Sequence, residues 1–258
     1  KRPLVFSGDN TVSTPILWIS TQGLLSSLRG GVGTSLSIAY VSACAIYTFS
    51  LYPFFIEGEP NLRALFDFIP FLLTLLAPTL TLDLIATETQ SRHLDIWLAL
   101  PISYPALLLG KIGGAWSLFM LTTLVSLFLP LSLSYFADLH WPTIWSGYLG
   151  IVLLGTMNLS IGLWASVWSK SALSAWLISF SLCFGFYLVG GCARFLPTPF
   201  AEWSQLLSAQ THVARMSLGV IDTRDLLYFF GMIVFWFTLA VETLRIKTNA
   251  HIEYNHDN

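Results

Sequence analysis

The chain has 258 residues, 55% hydrophobic and only 10% charged, with a mean hydropathy of +0.69, whereas a soluble domain carries about 25% charged residues. So little polar surface excludes a water-soluble domain. Twelve basic and fourteen acidic residues leave a net charge of -2 with the basic ones scattered, which excludes a nucleic-acid-binding surface.

From the N-terminus, Ser13 and Thr14 offer a helix cap, Pro15 suits the first turn, and Arg29-Gly30-Gly31 reads as a stop. Residues 15–29 are expected to form an amphipathic helix on the inner leaflet, with Leu17, Leu24, Leu25, Leu28 and Arg29 as its membrane-contacting residues. This stretch is broken by polar residues and lacks a small-residue cleavage site, so no signal peptide is expected and the first span serves as its own insertion signal.

A bilayer core needs about 20 apolar helical residues. Six intervals meet that need, at 34–56, 62–84, 112–136, 143–168, 172–193 and 226–244. The expected fold is therefore all-α and polytopic, one membrane domain with six spans. Trp116, Tyr135, Trp141, Trp145, Trp164, Trp168 and Trp176 fall mostly near span ends, where amphipathic rings set depth. With the N-terminus inside, inner segments hold Lys1, Arg2, Arg29, Arg92, Lys111, Lys170, Arg245 and Lys247, and outer ones Arg63, Arg194, Arg215 and Arg224. That asymmetry places both termini in the cytoplasm.

Between spans two and three, Glu88 to Lys111 reads ETQSRHLDIWLALPISYPALLLGK. Glu88 and Arg92 can pair at i,i+4, while Leu94, Trp97 and Leu98 form an apolar ridge, and Pro101 ends the helix. Ser103 then caps a new helix with Pro105 in its first turn. From Pro105 to Phe136 this helix would run roughly 48 Å at about 1.5 Å per residue, so it must project, tilt or bend. A short helix held beyond the membrane with an apolar ridge suits docking against another protein.

Between spans five and six, residues 194–224 contain prolines 197 and 199 and an apolar face of Trp203, Leu206 and Leu207. Short amphipathic helices dipping into the outer leaflet are expected there. Gly219, Asp222, Arg224 and Asp225 mark the turn into span six, with Asp225 near the helix N-terminus where negative charge is favoured.

Two stretches resemble a known family. The loop from Glu88 to Lys111, with its acidic start, Arg92, Asp95, LALPIS and Gly110-Lys111, is similar to the first cytoplasmic loop of ABC-2 permeases. It looks most like the branch of gliding-motility and nitrous-oxide-reductase-maturation permeases, with His93-Leu94 in place of Gly-Thr. The stretch SLGVIDTRDLLYFF, Ser217 to Phe230, resembles the approach to the last span in the same branch.

The resemblance implies a non-catalytic permease subunit of an ATP-driven exporter in the bacterial inner membrane. It further implies pairing with a second permease copy or a related one, an outer-face accessory subunit, contact with membrane lipid, and a cytoplasmic ATPase dimer. Residues 88–100 would be the coupling helix, with Glu88, Arg92, His93, Leu94, Asp95, Trp97 and Leu98 meeting the ATPase. GGVGTS at Gly30–Ser35 lacks the lysine of a phosphate-binding loop and LLLGKIGG lacks its preceding glycines. No cofactor is therefore expected in this chain; ATP and magnesium fall to the partner. The rival class is a secondary transporter or channel-like protein without an ATPase, for which Asp67, Asp83 and Asn158 are the candidate intramembrane polar residues. An intramembrane enzyme is disfavoured because the five histidines all lie outside the expected spans.

Overall fold

The computed structural model describes residues 19–25, 31–51, 62–82, 84–86, 103–135, 138–192 and 197–256. Among them every regular element is helical. In chain order these are α1 (19–25), α2 (Val32–Ile46, continued by a π-helical turn Tyr47–Leu51), α3 (Arg63–Thr81), α4 (Tyr104–Ser126) and α5 (Phe128–Leu133). There follow α6 (Trp141–Trp168), α7 (Ala172–Cys192), α8 (Thr198–Leu207), α9 (Ala209–Met216) and α10 (Thr223–His256).

Among the described residues, four helical stretches are long and apolar enough to cross a membrane: Tyr104–Leu133, Trp141–Trp168, Ala172–Gly191 and Thr223–Asn249. The other two expected spans correspond to shorter apolar helices, Gly33–Phe49 and Leu65–Thr81.

Helix α6 is the centre of the bundle and packs against α3, α4, α7, α9 and α10. Its most apolar window is 83% buried, against 17% for those of α7 and α10. Its sequence explains this position: small residues recur along it and admit large neighbours. Phe66 of α3 lies over Gly147, Phe119 of α4 over Gly155 and Thr81 of α3 over Gly162, leaving no room for a Cβ. Along one face of α7, the rings of Trp176, Phe180, Phe184 and Tyr187 stack with centroids 5.2, 5.4 and 6.2 Å apart. The ladder passes to Phe71 of α3 at 6.0 Å, and Trp176 Nε1 donates to Thr79 Oγ1 at 3.0 Å.

The sequence reading treats the third span as one helix to Phe136, but the chain turns at Leu127, where α4 gives way to α5. Pro130 is the cause, because it has no N–H for the Ser126 carbonyl four residues back. Tyr148 Oη of α6 takes over and donates to that carbonyl at 3.1 Å. The last helix extends beyond the expected span at 226–244: it starts at Thr223 and runs 34 residues to His256, which is about 51 Å at the α-helical rise.

Two substitutions test this packing. Gly155→Leu is expected to destabilise the purified chain by about 1–3 kcal/mol through overpacking against Phe119. Tyr148→Phe, which strands the Ser126 carbonyl, should cost about 1–3 kcal/mol. Thermal unfolding in a fixed detergent reads both, and a wild-type midpoint in either variant would contradict the role assigned to that residue.

Candidate functional site

The described residues contain no group of three or more His, Cys, Asp or Glu side chains able to hold a metal. Cys44 and Cys183 are free and buried, as packing residues are. Polar contacts gather on the two described stretches that border residues 87–102, namely 84–86 and the start of α4.

At the leaving end, Ser166 of α6 is fully buried. Its Oγ accepts from the Ile85 amide at 3.0 Å and the Ala86 amide at 3.1 Å. These amides lie just beyond the end of α3, and without Ser166 they would be buried donors lacking a side-chain acceptor. At the returning end, Ser103 precedes α4 with extended backbone and Pro105 follows in the first turn. One turn further, Lys111 Nζ donates to the Leu84 carbonyl at 2.8 Å and ties α4 back to the leaving end.

An apolar cluster of Ile19, Ile85, Leu107, Leu108, Leu163, Val167, Ala240 and Leu244 fills the space between. It joins α1, α4, α6 and α10 around residues 84–86. Helix α1 is seated on α4 through glycines. A Cβ at Gly114 would lie 3.0 Å from Gly23 Cα, and Ile19 occupies the space beside Gly110. On the same end of the bundle, Lys247 Nζ of α10 donates to the Val167 and Trp168 carbonyls at 2.7 and 2.8 Å. There its positive charge meets the negative end of α6.

Of the residues singled out from sequence, Glu88, Arg92, His93, Leu94, Asp95, Trp97, Leu98, Leu17, Leu28 and Arg29 lie outside the described residues. Leu24 is half-buried and Leu25 exposed on α1, beside exposed Thr21 and Gln22. The turn ahead of α10, with Gly219, Asp222, Arg224 and Asp225, is fully described. Gly219 has φ +88°, the left-handed conformation that glycine adopts without strain. Asp222 Oδ1 accepts from the Arg224 amide at 3.0 Å and starts α10. Arg224 points to the exterior, whereas Asp225 is fully buried.

The sequence reading gives Ser166 no role and uses Lys111 and Lys247 only as inner-side charges, with Lys111 also in the Gly-Lys motif. Nothing in the sequence around Ser166 distinguishes it from the other serines of α6. It also expected both outer helices to sit in the leaflet. Only α8 presents exposed apolar residues, Phe200, Trp203, Leu206 and Leu207, while α9 buries Ala209, His212, Val213 and Met216 against α3, α6 and α7. Ser146 Oγ of α6 donates to the Met216 carbonyl at 2.7 Å and closes the far end of α9.

A family model, ABC-2 family transporter protein, matches residues 14–241. The chain belongs to the ABC-2 transporter family. No curated protein matches it. As an ABC-2 family member it is a membrane subunit of an ABC transporter, of a kind that is generally non-catalytic and typically pairs with an ABC ATPase.

The anchor makes a quantitative prediction. Ser166→Ala removes the side-chain acceptor for the Ile85 and Ala86 amides and is expected to destabilise this end by about 1–3 kcal/mol. Proteolysis within residues 87–102 of the purified chain should accelerate correspondingly, and an unchanged cleavage rate would show that Ser166 does not hold the exit.

Proposed function

We propose that this chain is the permease of an ATP-driven exporter in the bacterial inner membrane, crossing the bilayer six times with both termini in the cytoplasm. It pairs with a second permease, either a copy of itself or a relative, and sits on a cytoplasmic ATPase dimer that supplies ATP and magnesium. Residues 88–100 form the coupling helix. The single observation that carries this reading is the double anchorage of the connection 87–102, by Ser166 at one end and by Lys111 at the other. A segment fastened at both ends to the same cluster transmits its displacement into α4, α6 and α10 rather than dissipating it in a loop.

The charge distribution supports the orientation. Lys111 and Lys247 lie at the end of the bundle that carries this connection, whereas Arg63 begins α3 at the opposite end, in the sense of the positive-inside rule. Helix α1, with exposed Thr21 and Gln22 and half-buried Leu24, is the inner part of an interfacial helix over 15–29 that rests on membrane lipid. The likeness of the Glu88–Lys111 loop to the gliding-motility and nitrous-oxide-reductase-maturation branch favours an assembly with an outer-face accessory subunit.

Two experiments test the reading. Co-purification from native membranes should recover an ABC ATPase, and Trp97→Asp should abolish substrate-stimulated ATP hydrolysis in the complex while the spans remain folded. Wild-type stimulation in that variant would overturn the coupling role. Cysteines placed at Arg63 and at Lys247 should label with impermeant reagents from opposite sides of sealed vesicles; labelling from one side would overturn the topology.

A further inference from the structure

Asn158 lies just past the middle of α6 and is 2% exposed. Its carboxamide has no hydrogen-bond partner among the described residues, although an unpaired amide is costly in any interior and more so within a bilayer. The side chain lines a cavity of about 10 Å³ where α3, α6, α7 and α9 meet. Thr74 of α3 and Cys183 and Tyr187 of α7 form its walls, and Ala209 and Gln210 of α9 complete it.

The first turn of α9 brings further unpaired groups to the same place. Ser208 Oγ accepts from the Thr211 amide at 3.3 Å, which leaves the amides of Ala209 and Gln210 without an acceptor among the described residues, as the opening amides of a helix are. Ala209 is 2% exposed, so this helix end does not reach bulk water. The Gln210 carboxamide likewise has no partner among the described residues. On α3, Pro78 has no N–H for the Thr74 carbonyl, and the Thr74 hydroxyl is committed to Phe71 O. The cavity therefore gathers donors, the α9 amides and the Asn158 amide nitrogen, together with acceptors, the two carboxamide oxygens. No charged side chain lines it. That combination suits a small neutral molecule that both donates and accepts, and excludes an ion. A single water needs about 10–15 Å³ and two to four polar partners, which is what this cavity supplies.

We propose that this cavity is a binding site for one water molecule, held between Asn158 and the first turn of α9. The water accepts a hydrogen from an α9 amide and donates one to the Asn158 carboxamide oxygen. Helix α9 is then attached to α6 at both ends, through the water at its first turn and at its last by Ser146 Oγ on the Met216 carbonyl. The water satisfies a helix start that lies inside the bundle, where lipid offers no hydrogen bonds. The site does not depend on the chain working with an ATPase.

X-ray radiolytic labelling of the full chain in lipid nanodiscs tests the site. Ionising radiation converts a bound water to a hydroxyl radical in place, so a buried side chain beside a water is oxidised while one packed only against protein is spared. Cys183 and Cys44 are both free and buried, and of the two only Cys183 lines this cavity. Mass spectrometry of the wild type should find Cys183 oxidised and Cys44 protected. In Asn158→Leu, which is apolar, oxidation of Cys183 should fall to the level of Cys44. Equal oxidation of the two thiols in the wild type overturns the proposal, and so does undiminished oxidation of Cys183 in Asn158→Leu with Cys44 still protected. Oxidation of Cys44 in that variant would mean that the larger side chain has opened the packing; the smaller Asn158→Val then gives the same test, with the same two readings. The wild-type comparison decides by itself whether the water is there.

Discussion

The close approach of other helices to α6 is the constraint on which the rest of the bundle depends. In lipid the hydrophobic effect gives little reason for one helix to prefer another, so association relies on van der Waals contact and interhelical hydrogen bonds. Gly147, Gly155 and Gly162 let Phe66, Phe119 and Thr81 sit against the α6 backbone, and Ser146 and Ser166 bond to carbonyls and amides of other segments. The same helix therefore fixes α9 toward one end and residues 85–86 toward the other. A bulky α6 would hold neither.

Backbone groups freed by proline show how the apolar interior is kept consistent. Pro130 interrupts the ladder at Ser126, and Tyr148 supplies the donor that water would provide in a soluble protein. In α3, Pro70 and Pro78 lie within the helix and remove the usual donors to the Phe66 and Thr74 carbonyls, while the threonine hydroxyls of that helix bond to other carbonyls, Thr74 to Phe71 O and Thr81 to Ala77 O.

Composition and the spacing of apolar runs made the helical, membrane-embedded character legible, because long charge-free intervals have few other physical explanations. The turn at Leu127 was legible in principle from Pro130. What decides it, the availability of Tyr148 across the bundle, is a tertiary fact. The burial of α9 was not legible. AQTHVARM reads as a polar surface helix, and only the pairing of His212 and Arg215 with an acid thirteen and ten residues further on makes its insertion tolerable. Asp225 was noticed for its place at a helix start, and that local reading concealed its partners on α9. Ser166 lay in an interval read wholly as a span, where a serine carries no signal until the amides of residues 85 and 86 are seen beside it.

Helix α10 gives these separate observations a common frame. It runs 34 residues without a proline, beginning beside the buried Asp225 with its His212 and Arg215 partners and passing Lys247, which grips the end of α6. With one glycine, Gly231, along its whole length, it behaves as a stiff beam rather than a chain of hinged pieces. A stiff helix held near both ends couples them, so a strain placed on its first turn is felt where Lys247 meets the end of α6.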